Sequence, residues 1–410
     1  MGNLNGSEMT KTNQKIFVFV VCGARAHIET LHLSLQALRK YSRNEIWILT
    51  DARRNEISIH HANIIDAKTP TEFNHHQASI YLKTGIHKFL PAGNSYCYLD
   101  TDVIALNQGI DEIFEDYKPP ITFCTDVTKL NKFSPFAVNC NCFANFERDK
   151  TLPAFYDKEF TENVLPQIEF IDCSIHEIER RVAATKESEW VYRLHKLKYW
   201  LGGKFYVLDK DYKLEKDTGL WFTAAGKRLK YEATEKDVVA YIQNKTGFRF
   251  NPSTNQWYRR DGSSVSQLYC NHLLEKIQNK FGIAISPDDW QHWNGGVFLF
   301  DDNSHDFLNC WHEMTMQVFQ DKNWRTRDQG TLAATAWKFD LQNHFTLPLS
   351  FNFIADYELP LAHYPGNLKF KTATSEKIIA PKFVHVYKNW GDMNWQVWKD
   401  IFNHISQDGK

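Results

Sequence analysis

With 48 Lys+Arg against 49 Asp+Glu and a net charge of -1, this chain of 410 residues has no electrostatic footprint for general nucleic-acid binding. Its longest apolar runs, such as Ile16–Cys22, fall far short of the roughly 20 residues that span a bilayer. A chain of this length buries a large core, in one enlarged domain or two. The eight cysteines lie largely in apolar, strand-like runs, where the thiol packs as a small hydrophobe. The first fifteen residues show no secretory pattern, so a reducing, cytoplasmic setting is expected. Cys140 and Cys142 taken with Cys173 and His176 match no usual zinc-knuckle spacing.

In chain order, residues 1–14 read as a polar, disordered leader. Ile16–Cys22 is a continuous apolar run, as in a strand covered on both faces. After Gly23, the spacing of Ile28, Leu31, Leu35 and Leu38 predicts an amphipathic helix. Ile46–Leu49 is a second short strand ending at Asp51, and Ile64–Ile65 a third. A helix is expected over His76–Leu90, then a strand over Ser95–Leu99. Strand, helix, strand, strand, helix, strand indicates an α/β domain with a mostly parallel sheet. In such sheets ligands bind beyond the carboxyl ends of the strands, where Gly23, Asp51 and Asp100 stand.

Residues 150–285 break this rhythm. Ile175–Gly202 reads as a charged helix, Gly219–Tyr231 and Gly247–Val265 as hairpins, and Thr234–Gln243 as a short helix. The stretch is expected to be an inserted α+β subdomain. The α/β pattern resumes with a strand at Val297–Phe300, preceded by Gly295 and Gly296. Helices follow at His305–Phe319 and from Arg325, then strands at Leu347–Phe353 and within Pro381–Trp390, and a last helix at Trp395–Ile405.

The chemistry concentrates at the segment YLDTDVIAL, residues 98–106. In an extended backbone residues i and i+2 face one side, so Asp100 and Asp102 reach one point beyond the strand end. Adjacent carboxylates repel unless something positive lies between them, and a hard divalent cation with open positions meets that need. An Asx-type turn is the plain structural alternative. Eight of the 13 tryptophans lie between Trp290 and Trp398; Trp293 and Trp390 flank the later motifs and suit sugar stacking, while core packing accounts for most of the rest.

The strand–Gly–helix start, YLDTDV, WNGGVFLFD with RDQGTLAATAW, and FVHVYKNW occur in one order. This pattern resembles the GT-A glycosyltransferases, most closely the retaining enzymes related to glycosyltransferase family 8, over roughly residues 15–125 and 286–395. The chain departs from it in having Asn294-Gly295-Gly296 where the family has Asn-Ser-Gly. It also departs in placing Lys388 only three residues after His385.

The resemblance implies a GT-A fold, with a mixed, mostly parallel sheet between helices: a nucleotide-sugar half over 15–149 and an acceptor-side half over 286–410. It implies Asp100, Asp102 and His385 as ligands of Mn2+ (or Mg2+) on the diphosphate of a nucleotide sugar, expected to be a UDP-sugar. Ala24, Arg25, His27 and Asp51 would hold the nucleotide. Lys83, Gly295 and Lys388 would face phosphates or sugar, and Asn294, Asp328 and Gln329 would surround the transferred hexose. The acceptor would be a glycan, a lipid-linked sugar or a protein, with no nucleic-acid partner; peripheral membrane contact stays open. Retention needs no dedicated base; inversion would need one, from Asp328, Asp356 or Asp392. The rivals are a sugar-phosphate nucleotidyltransferase, which GARAHIE fits poorly for want of a glycine-rich basic loop, and a non-catalytic glycan-binding protein on a decayed transferase fold.

Overall fold

The computed structural model describes residues 13–230, 233–358, 363–372 and 377–406; most of the expected leader lies outside these. The chain divides into two compact units, Met1–Cys140 with Cys270–Lys410, and Asn141–Tyr269.

The first unit opens with β1 (Lys15–Val20), α1 (Arg25–Tyr41), β2 (Glu45–Thr50), β3 (Ile64–Asp66), α2 (His75–Thr84), β4 (Ser95–Leu99), β5 (Val103–Ala105), β6 (Thr122–Lys129) and α3 (Leu130–Ala137). The second contains α4 (Cys142–Glu159), β7 (Phe170–Ile171), α5 (Ile175–Ala184), α6 (Glu189–Leu201), β8 (Phe205–Val207), β9 (Tyr212–Glu215), β10 (Trp221–Thr223), β11 (Arg228–Leu229), α7 (Ala233–Thr246), β12 (Arg249–Asn251) and β13 (Gln256–Tyr258). The first unit then resumes with α8 (His272–Phe281), β14 (Gln291–Phe300), α9 (His305–Val318), α10 (Arg327–Lys338), β15 (Phe353–Ile354) and α11 (Ala355–Glu358). It ends with β16 (His363–Gly366), β17 (Lys369–Lys371), β18 (Ile378–Ile379), β19 (Phe383–His385) and α12 (Gln396–Ser406).

The fold of the first unit is mixed α/β. Its six-stranded sheet runs β3-β2-β1-β4-β14-β6, with the first three pairings parallel and β14 antiparallel to both neighbours. The period-2 alternation of β1 shows why both faces are covered. Ile16, Val18 and Val20 join a core with α2, α9 and α10, while Phe17 and Phe19 join another with Ile28, Leu31, Leu35 and Leu38 of α1. Beside it, β5 and β15 flank β19, backed by Trp398 and Ile401 of α12. In the second unit, β7-β11-β10-β9-β8 form one sheet, and buried Asp149 of α4 takes Arg259 Nε at 2.7 Å.

Four elements differ from the sequence expectation. The helix expected to run to Leu90 stops at Thr84, because Gly85 breaks it into a short 3-10 turn at Ile86–Lys88. The charged helix is two helices, separated at Ser188, whose extended backbone (φ -123°, ψ 127°) cannot continue α5. The strand expected to start at Val297 already starts at Gln291, so Gly295 and Gly296 lie inside it, where its register with β6 shifts. Leu347–Phe353 is not one strand: a 3-10 turn, Leu349–Phe351, interrupts it after Pro348, which supplies no backbone donor, and only Phe353 belongs to a strand.

Candidate active site

The carboxyl ends of β1 and β4 open onto a cavity of about 430 Å³. Its walls include Asp100 and Asp102 after β4, Lys83 and Ser79 from α2, Asn294 and Gly296 from β14, Asp328 and Gln329 from α10, and His385 from β19. Ligand atoms of Asp100, Asp102 and His385 lie within 4.8 Å of one another. The topology explains the meeting. Strand β19 pairs with β5, and β5 follows the Asp-x-Asp turn directly, with His385 opposite Val103.

His385 is buried, and each of its nitrogens meets an oxygen: Nδ1 faces Asn352 Oδ1 at 3.1 Å, and Nε2 faces Asp102 Oδ1 at 3.2 Å. The tautomer is fixed from behind. The Gly296 N–H donates to Asn294 Oδ1 (2.9 Å), and Asn294 Nδ2 donates to Asp126 Oδ2 (3.0 Å). Asn352 Nδ2 donates to the same Asn294 Oδ1 (2.9 Å), which leaves Asn352 Oδ1 to accept the Nδ1–H of His385. His385 Nε2 thus presents a lone pair toward two carboxylates, an arrangement that requires a proton or a cation at that point. Two carboxylate oxygens and one imidazole, with cavity beside them, fit Mn2+ or Mg2+ with positions left for other oxygens.

Burial alone would lower the pKa of His385 and raise that of Asp102. Each outweighs that effect in the other, so the imidazole titrates above and the carboxylate below its ordinary value. Lys83 places Nζ 3.0 and 3.1 Å from the two Asp100 oxygens and 3.5 Å from Asp328 Oδ2. Its burial opposes the charge, but these carboxylates raise its pKa and keep it an ammonium ion. The Tyr98 hydroxyl donates to Asp100 Oδ1, and burial followed by the Asp100 charge holds the phenol well above its usual pKa.

Gly296 is required by close approach. A Cβ there would lie 2.6 Å from His385 Cε1 and 2.8 Å from Asn294 Oδ1. At Gly295 the near neighbour is the end of the flexible Gln329 side chain, whose Oε1 accepts the Gly295 N–H at 2.7 Å. At the other wall, Gly23 adopts φ +101°, and a side chain there would strike His75.

The remaining sequence candidates divide. His27 lines the cavity. Ala24 is the N-cap of α1, and Arg25 is exposed with its guanidinium 3.7 Å from Glu29. Asp51 is buried away from the cavity lining; burial would raise its pKa, yet hydrogen bonds from Arg53 and Thr69 hold it well below the carboxylate range. Lys388 is exposed and outside the lining. Asp356 accepts the backbone N–H groups of Tyr387, Lys388 and Asn389, so it fixes the loop after β19. Asp126, Asn352 and Tyr98 were not singled out from sequence. Their partners are mostly remote in the chain, and only Tyr98, two residues before Asp100, carried a local signal.

No protein-family model and no curated protein sequence matches the chain. Among solved structures, mouse xyloside xylosyltransferase 1 is similar over 92% of this chain and 98% of its own, at 10% identity and a TM-score of 0.36. The glycosyltransferase GlyE of Streptococcus pneumoniae TIGR4 is similar over 28% of this chain and 30% of its own, at 16% identity and a TM-score of 0.21. Likenesses this loose leave the functional reading to the geometry of the site. No helix among the described residues is long and apolar enough to cross a membrane.

Proposed function

We propose that the chain is a metal-dependent glycosyltransferase. It moves a hexose from a nucleotide-diphosphate sugar, a UDP-sugar in this reading, to a glycan, lipid-linked or protein acceptor, with retention. The observation that carries the proposal is the meeting of Asp100, Asp102 and His385, from opposite ends of the chain, on one cavity wall. The same cavity gathers Asn294, Asp328 and Gln329, which the sequence motifs assign to the sugar.

In this reading Asp100, Asp102 and His385 hold Mn2+ or Mg2+, which when bound offsets negative charge on a departing diphosphate. Asn352 and Asn294 keep His385 Nε2 available as a ligand atom. Lys83 holds Asp100 and Asp328 in place and brings a positive charge to the cavity. His27, which this reading assigns to the nucleotide, lines the same cavity, and Asn294 and Gln329 offer amide groups at its wall for sugar hydroxyls.

Retention is favoured by the carboxylates themselves. Of Asp328, Asp356 and Asp392, Asp328 alone lines the cavity, and there its carboxylate is engaged by Lys83. A leaving phosphate oxygen can instead take the acceptor proton. The test is nucleoside diphosphate release by the purified chain across a panel of sugar nucleotides, with Mn2+ and with EDTA. Release from one donor that EDTA abolishes supports the reading; no release, or release indifferent to EDTA, overturns it. NMR of the product's anomeric proton distinguishes retention from inversion.

A further inference from the structure

The chain places a second set of metal-ligand side chains far from the Asp-x-Asp motif in sequence. Cys140 and Cys142 stand where the first unit ends, and Cys270 and His272 stand where it resumes. Cys140, Cys270 and His272 belong to the first unit, and Cys142 is tied to Cys140 through a single intervening residue. Ligand atoms of all four lie within 4.8 Å of one another. We propose that Cys140, Cys142, Cys270 and His272 form a closed, structural zinc site.

The donor set is the first argument. Three sulfurs and one imidazole are the soft, tetrahedral combination that selects Zn2+ over the hard ions suited to carboxylates. Spacing is the second. With Zn–S near 2.3 Å and Zn–N near 2.0–2.1 Å, tetrahedral geometry sets neighbouring sulfurs about 3.8 Å apart and sulfur to nitrogen about 3.6 Å apart. Cys140 Sγ and Cys270 Sγ are 3.8 Å apart, and Cys270 Sγ lies 3.3 Å from His272 Nδ1. The sulfurs are thus spaced for a shared ion and are too far apart to be bonded to each other.

Local structure gives the third argument. Each pair brackets an asparagine N-cap: Asn141 begins α4 at Cys142, and Asn271 begins α8 at His272. The N-terminal ends of two helices therefore lie at the cluster. Behind Cys270, the Leu273 N–H donates to Ser134 Oγ at 2.9 Å, so the Ser134 hydroxyl proton is available to the Cys270 sulfur at 3.2 Å. A hydroxyl donating to a ligand sulfur is the supporting contact expected around such an ion. Binding would release the three thiol protons and leave the imidazole neutral, so four protein ligands fill the coordination sphere with no position for a substrate.

The experiment uses the full chain, purified under reducing conditions. Elemental analysis should find about one zinc per chain. The same content should persist in the Asp100→Ala/Asp102→Ala variant, and Cys142→Ser or His272→Ala should lose most of it. Exchange of the wild-type chain into Co2+ needs no variant to fold: the spectrum should show intense tetrahedral ligand-field bands with thiolate-to-cobalt charge transfer. The proposal is overturned by reduced protein without zinc, by a cobalt spectrum without thiolate charge transfer, or by zinc that the Asp100→Ala/Asp102→Ala variant removes. A Cys140–Cys270 disulfide in freshly isolated, metal-free protein, found by peptide mass spectrometry, would also overturn it.

Discussion

The two clusters of metal-ligand side chains differ in almost every property that decides what an ion can do. Asp100, Asp102 and His385 supply two hard oxygens and one nitrogen beside a cavity of about 430 Å³. Cys140, Cys142, Cys270 and His272 supply four donors, three of them soft, and would enclose an ion completely. An incomplete set leaves room for phosphate oxygens, whereas a complete one leaves room for nothing. Their supports differ in kind as well. The first set is held by a relay of asparagine side chains reaching back to Asp126, and the second by helix starts and one serine. Ligand count and donor softness, more than the mere presence of ligating residues, separate a site that acts from a site that holds.

The largest effect is expected from removing a ligand of the open set. Asp102→Ala should lower Mn2+-dependent turnover by a thousandfold or more, about 4 kcal/mol of lost transition-state stabilisation. The unfolding midpoint should change little by comparison. Measuring turnover and thermal unfolding on the same preparation checks this. A variant that lost stability in proportion to activity would make the open set structural too, and the contrast would fail.

Both clusters depend on a framework with its own acid limit, and this bounds the pH range in which they can be compared. His292 and His312 are buried, and burial lowers both to about 4. Neither nitrogen of His292 has a hydrogen-bond partner, so a proton added there meets no acceptor. Because the folded pKa lies below the unfolded one, the unfolded chain binds protons first as pH falls. Stability is therefore fully present above about 6.5 and should decline from there down to about 4, by on the order of 3 kcal/mol for each imidazole. Urea unfolding from pH 7.5 to 4.5 should show this decline, and His312→Gln should flatten part of it. An unchanged slope in that variant would remove His312 from the account.

A smaller effect sharpens the comparison of supports. Asn352→Leu keeps the side-chain volume but removes the acceptor that fixes the His385 tautomer. Mn2+ affinity, measured by calorimetry, should fall 10–100-fold, the usual cost of losing an outer-shell partner. Metal bound at the cysteine set should not change. An unaltered Mn2+ affinity would show that the relay only packs the core.

What could be read from the sequence follows how local each cause is. The Asp100/Asp102 pair was legible because same-side geometry acts over two residues, and the alternating burial of β1 follows directly from its run of apolar residues. His385 was legible only through its place in an ordered set of motifs. Asn352 was not, because its partners Asn294 and His385 are 58 and 33 residues away and nothing in SFNF marks it. Asp51 stood at a strand end as expected, but the following turn and Thr69 recruited its carboxylate, a choice set by donors that fold back from residues 53–69. The cysteine set was hidden for the same reason as Asn352. Cys140 and Cys142 were tried with the nearer Cys173 and His176, yet Cys173 meets Tyr212 and His176 is exposed beside Glu179. Topology, not proximity in sequence, supplies Cys270 and His272.

The smallest expected effect concerns the two lysines that sequence motifs bring toward the donor. Lys83 is buried at the junction of Asp100 and Asp328, while Lys388 is exposed, and its backbone N–H donates to Asp356 Oδ2 at 3.2 Å. An exposed cation outside the cavity is worth about 0–1 kcal/mol to a bound anion. Lys388→Ala should then change kcat/KM by less than about fivefold, whereas Lys83→Ala should cost far more, because it leaves the buried Asp328 and the half-buried Asp100 without their counter-charge. Steady-state kinetics on both variants, at saturating and limiting donor, decides between them. The outcome that would reverse the ranking is a large loss of kcat in Lys388→Ala with donor affinity preserved. That result would mean that the loop from Tyr387 to Trp390 swings over the diphosphate during turnover. Asp356 would then be the latch that holds it in the position seen here.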